Sequence, residues 1–175
     1  MLLYHATDRD FRGEMFDIAQ CHSISDFGKR LYFSFDELSA YDFSNGRWVI
    51  EVEIDNAYLT KQTYNGIRTY RFETDISRIS TEERIVFARA IVENRKGDTS
   101  FLDEYDIVVG PRADARAQNI VVEYCRHNSD WFSNETLLDL FEELTVERYT
   151  PQVAFNSKAI HALLWDPDRY HWYQR

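Results

Sequence analysis

Trp48–Asp55 carries the clearest alternation in the chain. Trp48, Ile50, Val52 and Ile54 fall on one side and Glu51, Glu53 and Asp55 on the other, which predicts a strand with one buried face. The glutamates of this segment read as a solvated sheet face and not as a catalytic pair. Leu2-Leu3-Tyr4, ending at His5, predicts a first strand, and Leu31–Ser34 a second. Asp36 is placed to cap a helix reaching Phe43. Tyr58–Lys61 and Thr69–Phe72 read as further short strands. Ser80 and Glu83 have capping-box spacing and open a helix to about Asn94, with Ile85, Ala88, Ile91 and Val92 on one stripe. Asp106–Gly110 and Asn119–Tyr124 are short apolar runs, read with the strands. Ser133 caps a helix bearing Leu137, Leu140, Phe141 and Leu144 at helical spacing. Gln152–Phe155 predicts a late strand, and Ser157–Trp165 a short helix and strand. Thr7–Ser25 reads as a loop with a short helix near Glu14–Ala19, and the tail from Asp166 as a segment packing back on the domain. The sum is seven to nine short strands and about three helices, an α+β arrangement.

No repeat or Pro/Ser-rich linker interrupts the 175 residues, so a single domain over 1–175 is expected. Aromatics at 15% suit a sheet-rich core. The net charge of −10, with no run of five basic residues, disfavours a nucleic-acid scaffold, although Arg68, Arg71 and Arg78 mark a local basic patch. No apolar run approaches the length of a membrane span, so a cytoplasmic protein, or an effector delivered without a cleaved signal, is expected. Cys21-His22 and Cys125-Arg126-His127 lack the Cys-x₂-Cys spacing of zinc sites, so no metal is expected. No Gly-rich phosphate loop is present.

Three remote positions set a polar group at the edge of a short strand: His5, Tyr32 and Gln152. Tyr4-His5-Ala6-Thr7, followed by Asp26-Phe27-Gly28-Lys29-Arg30-Leu31-Tyr32-Phe33-Ser34 and by Phe43, resembles the NAD-binding half of the ADP-ribosyltransferase superfamily, which includes poly(ADP-ribose) polymerases and diphtheria-type toxins. Tyr105–Asp114 and Pro151–Ile160 are similar to blocks of DUF3990, a bacterial family of toxins of that type, so the resemblance spans about residues 2–165.

The resemblance implies a split β-sheet that grips NAD as substrate. In it, His5 would bond a ribose hydroxyl, and Tyr32 and Phe43 would sandwich the nicotinamide ring. The main chain of Ala6 would hold the carboxamide. Thr7, Lys29, Arg30, Phe33 and Ser34 would complete the cofactor-binding set, and Gln152 would stand where the superfamily places its catalytic acid. Asp106 and Asp114 would shape the rim, and Glu143 or Glu147 could supply a missing charge. Gln152 is neutral, so mono-ADP-ribosyl transfer is implied and not chain growth. Arg30 and Ala6 stand where the superfamily carries glycines. The implied partners are a macromolecular acceptor, protein more readily than nucleic acid, and a small antitoxin or immunity protein. A catalytically inactive binding module and an NAD glycohydrolase are the alternatives.

Overall fold

The computed structural model describes residues 1–10, 16–21, 25–44, 47–113, 116–144, 150–166 and 170–174. Its strands are β1 (Leu2–Thr7), β2 (Leu31–Ser34), β3 (Trp48–Glu53), β4 (Thr63–Tyr64), β5 (Ile67–Arg71), β6 (Ile107–Gly110), β7 (Gln152–Phe155) and β8 (His171–Gln174). They form one mixed sheet in the order β4-β5-β6-β7-β2-β1-β3-β8. Among the described residues only the β5–β6 pair is parallel. The helices are α1 (Glu37–Ser44), α2 (Ala57–Thr60), α3 (Thr81–Lys96), α4 (Ala117–His127), α5 (Asn134–Glu143) and α6 (Ser157–Leu163). The architecture is mixed α+β, as the sequence implies, but with six α-helices among the described residues where about three are expected.

Strand alternation sorts the core into two faces. On one face, Leu3, Phe33, Ile50, Val153 and Phe155 pack with Leu59 of α2 and Ile160 of α6. The other face has two separate covers. Val108 and Ala154 lie under α3 and α5 through Phe87, Ile91, Leu137 and Phe141. Ala6 and Val49 lie under Ala40 of α1, with Tyr4 and Tyr173 beside them. The sheet is weakly joined along this divide. β1 and β2 share the single Cα pair Tyr4–Ser34, whereas β1 shares six with β3 and β2 shares four with β7.

Several segments depart from the sequence reading. Tyr58–Lys61 is not a strand. Asp55 Oδ1 accepts the Ala57 N–H at 2.9 Å and starts the short helix α2, which buries Leu59. Four residues are too few for periodicity to separate the two states. Asn119–Tyr124 belongs to α4, whose buried Ala117, Val121 and Tyr124 show helical spacing only once the run is extended back to Ala117. Half of the Ser80 capping box forms. Ser80 Oγ accepts the Glu83 N–H at 3.2 Å, but the Glu83 carboxylate turns away to the Glu73 N–H at 2.5 Å. A reciprocal box closes instead at Ser100 and Asp103. Ser157–Leu163 is helix alone, with Asn156 as its cap. Of the helix expected near Glu14–Ala19, residues 11–15 lie outside the described residues, and Ile18–Gln20 forms a 3₁₀ turn. The tail does pack back, as β8 on β3. Among the described residues no helix is long and apolar enough to cross a membrane.

Candidate functional site

A row of polar positions crosses the divide between the two helical covers. Gln152 pairs with Gly110 on one side and Ser34 on the other, Ser34 with Tyr4, and Tyr4 with Glu51. Paired residues of antiparallel strands project to the same face, so Gln152, Ser34 and Tyr4 share one. Gln152 and Ser34 are each 6% exposed. Buried polar groups need partners, and those of Gln152 are specific. Its Nε2 donates to Asp26 Oδ2 at 2.8 Å and to the Pro111 carbonyl at 3.4 Å. Both partners are acceptors, which fixes the amide orientation and turns Oε1 away from them.

Asp26 is the hub of this seam and is 5% exposed. Its Oδ2 also accepts the Ala113 N–H at 3.0 Å, and its Oδ1 accepts from the Arg95 guanidinium at 2.5 Å. Asn94 Nδ2 donates to the Asp26 carbonyl at 3.1 Å. The C-terminal turn of α3 therefore neutralises and locks the loop that leads into β2.

Tyr32 closes that loop. Its hydroxyl donates to the Gly28 carbonyl and accepts the Phe27 N–H, both at 2.9 Å. Burial, reinforced by the nearby Asp26 charge, pushes this phenol far above its ordinary value, so it remains neutral. Gly28 has φ +81°, and a Cβ there would stand 3.0 Å from Asn94 Oδ1. Arg30 is spent inside the turn. Its guanidinium donates to the carbonyls of Phe27 (2.9 Å), Leu102 (2.7 Å) and Asp106 (3.2 Å), so it is engaged within the protein and not turned to a cofactor. Lys29 is exposed.

His5 lies on the opposite face. It alternates with Tyr4, and its ring meets Phe33 at 5.6 Å and Phe16 at 6.0 Å between centroids. Its Nδ1 donates to the main-chain carbonyl of Tyr32 at 2.8 Å. A carbonyl only accepts, so the bond selects the Nδ1–H tautomer and leaves Nε2 as an acceptor. Burial lowers the pKa of His5 against the raising effect of that carbonyl, which keeps the imidazole neutral.

The structure thus joins Gln152, Tyr32 and Ser34 on one face, and His5 and Phe33 on the other. Thr7 follows His5 in alternation, and its Oγ1 accepts the Arg9 N–H at 3.2 Å. Ala6 is buried under α1. Phe43 falls within α1, and its side chain lies outside those described. Imidazole, phenol and carboxamide therefore do not converge as side chains, although the resemblance implies that His5, Tyr32 and Gln152 serve one NAD site. They are linked through the backbone of β2, because adjacent strand residues must project oppositely. Asp106 is not a rim residue. Its carboxylate accepts from the Arg68 N–H (2.9 Å), Lys158 Nζ (2.8 Å) and Asn156 Nδ2 (3.2 Å), fastening β5 to α6. Asp114 and Glu147 lie outside the described residues, and Glu143 is exposed at the end of α5. Cys21 packs on the face of His5 and Cys125 on the other.

Sequence reasoning missed Asp26 as a functional position, together with Asn94 and Arg95. The Asp-Phe-Gly order marks a turn, but nothing local couples it to a helix end 69 residues away.

One family model matches the chain, over residues 1–165; it is described as a protein of unknown function, DUF3990. No curated protein and no solved structure matches.

Proposed function

The chain belongs to the DUF3990 family, and from that premise we propose that it binds NAD and acts as a mono-ADP-ribosyltransferase, releasing nicotinamide. The observation that carries this reading is His5. At the place where β1 and β2 are joined by one pair, a neutral imidazole is held in a single tautomer by the Tyr32 carbonyl. A fixed acceptor at Nε2 suits a ribose hydroxyl, and a group whose orientation is already set loses little freedom on binding. The likeness of the His5, Gly28–Ser34 and Gln152 segments to ADP-ribosyltransferases supports the same substrate. Cleavage of the nicotinamide–ribose bond develops positive charge on the ribose, as in glycoside hydrolysis. In this reading His5 contacts the ribose, while Tyr32 and Gln152, on the opposite face, are positioning residues that hold the loop before β2. The acceptor of ADP-ribose is a macromolecule, and a small neutralising protein is the expected partner.

A second reading, a module of the same kind that binds NAD without cleaving it, is favoured by Gln152. Its amide is bound to Asp26 on the face away from the His5 ring. Incubation with NAD labelled in the nicotinamide and, separately, in the adenosine separates the readings. Free nicotinamide with label on protein supports transfer. NAD binding by calorimetry with no release supports the module. Neither binding nor release rejects both.

A further inference from the structure

A cavity of about 300 Å³ opens at the far end of the sheet, where β4 stops and α2 meets β5. Its walls include Leu59, Lys61, Gln62, Tyr70, Arg71 and Tyr105, and no carboxylate lines it. That is unusual in a chain of net charge −10. Arg71 is exposed, and its guanidinium has no hydrogen-bond or ion-pair partner among the described residues. Lys61 leans on the Tyr64 ring at 4.8 Å, and Arg68 stands over the outer side of Tyr105 at 5.0 Å while pairing with Glu104. A volume at the low end of the range for ligand sites suits a small ligand.

We propose that this cavity binds a small phosphate ester, with the phosphate on Arg71 and Lys61 and the organic part against Tyr70 and Tyr105. A guanidinium fork without a carboxylate matches two phosphate oxygens, and the Lys61 ammonium and Gln62 amide offer further donors. The rings of Tyr70 and Tyr105 supply the apolar wall that a bare anion does not need. The site lies beyond β5, away from His5 and Gln152, and does not depend on NAD chemistry.

Phenyl phosphate is the probe, titrated calorimetrically against the full chain, with inorganic phosphate and phenol alongside. The expected result is one saturable site for phenyl phosphate, weaker binding of inorganic phosphate and none of phenol. Arg71→Ala is expected to weaken phenyl phosphate roughly tenfold or more, as loss of a charge-assisted bond requires, with Lys61→Ala acting in the same direction. Both side chains are solvent-facing, and unchanged melting curves establish that the variants fold. No saturable binding at millimolar phenyl phosphate overturns the proposal, as does wild-type affinity in Arg71→Ala. Nicotinamide release is not read in this experiment, so its outcome is independent of the transferase assignment.

Discussion

His5 reaches Tyr32 through the main chain alone: its Nδ1 donates to the Tyr32 carbonyl at 2.8 Å while the two side chains leave the sheet on opposite faces. The ring is therefore both a fastener between β1 and β2 and the holder of one acceptor atom, Nε2. These two duties can be separated by substitution.

Asparagine at position 5 keeps a donor near Nδ1 and removes Nε2. His5→Asn is expected to melt within about 1 kcal/mol of wild type, the worth of an ordinary hydrogen bond, yet to lose NAD binding. Retained binding in a folded His5→Asn protein rejects Nε2 as the ribose acceptor.

The same residue sets a pH dependence. Its folded pKa is lowered by burial, so the unfolded chain takes up the proton first. Stability is full above the unfolded value of about 6.5 and declines as pH falls through it toward the folded value. Denaturant melts between pH 8 and pH 5 should show this decline in wild type and a flatter profile in His5→Asn.

Asp26 carries the seam. Asp26→Ala strips the partner from Arg95, leaves the Ala113 N–H unpaired in a buried site and leaves the Gln152 amide only its 3.4 Å bond to the Pro111 carbonyl. A loss of roughly 3–5 kcal/mol follows from breaking a buried pair on one side. A loss below about 1 kcal/mol, the range of a surface pair, would show that water already reaches the carboxylate.

Gly28→Ala tests the loop before β2. An alanine at φ +81° costs roughly 1–2 kcal/mol in backbone strain, and its Cβ also presses on Asn94 Oδ1 at 3.0 Å. Gly66 has a similar φ of +78°, but nothing lies within 4 Å of its Cβ position. Gly66→Ala should therefore cost less than Gly28→Ala, and equal losses would remove Asn94 from the argument.

Asp106 governs the acid limb. Burial alone would raise its pKa, but the Arg68 N–H, Lys158 and Asn156 outweigh it and hold it below the ordinary carboxylate value. Its contribution is present above the unfolded value near 3.9 and is lost as pH falls through the lower folded value. Asp106→Asn should flatten stability below about pH 4, and an unaltered acid limb would place that dependence elsewhere.

The strands that alternate, and the helices with a capping serine, were legible in the residues. Trp48–Glu53 and the Ser133-capped α5 show this directly. Short apolar runs were not, because Tyr58–Lys61 and Asn119–Tyr124 contain too few turns to reveal a period. The site was legible as a set of positions on β1, β2 and β7, which are neighbours in the sheet. Side-chain direction was not, since it depends on the pairing of Tyr4 with Ser34, 30 residues on, which no local pattern specifies. Arg30 illustrates the remaining gap. An arginine beside a glycine turn reads as a ligand-facing cation, yet here three carbonyls claim it, that of Phe27 in the turn and the remote ones of Leu102 and Asp106.

β8 occupies residues 171–174, beyond the stretch of 1–165 shared with the family, and lies along the outer margin of β3. A shortened chain ending at 165 would bare the amides and carbonyls of Trp48–Glu51 as a template for foreign strands. With β8 in place the margin of the sheet is instead a strand of four residues, and a short edge strand is a poorer template.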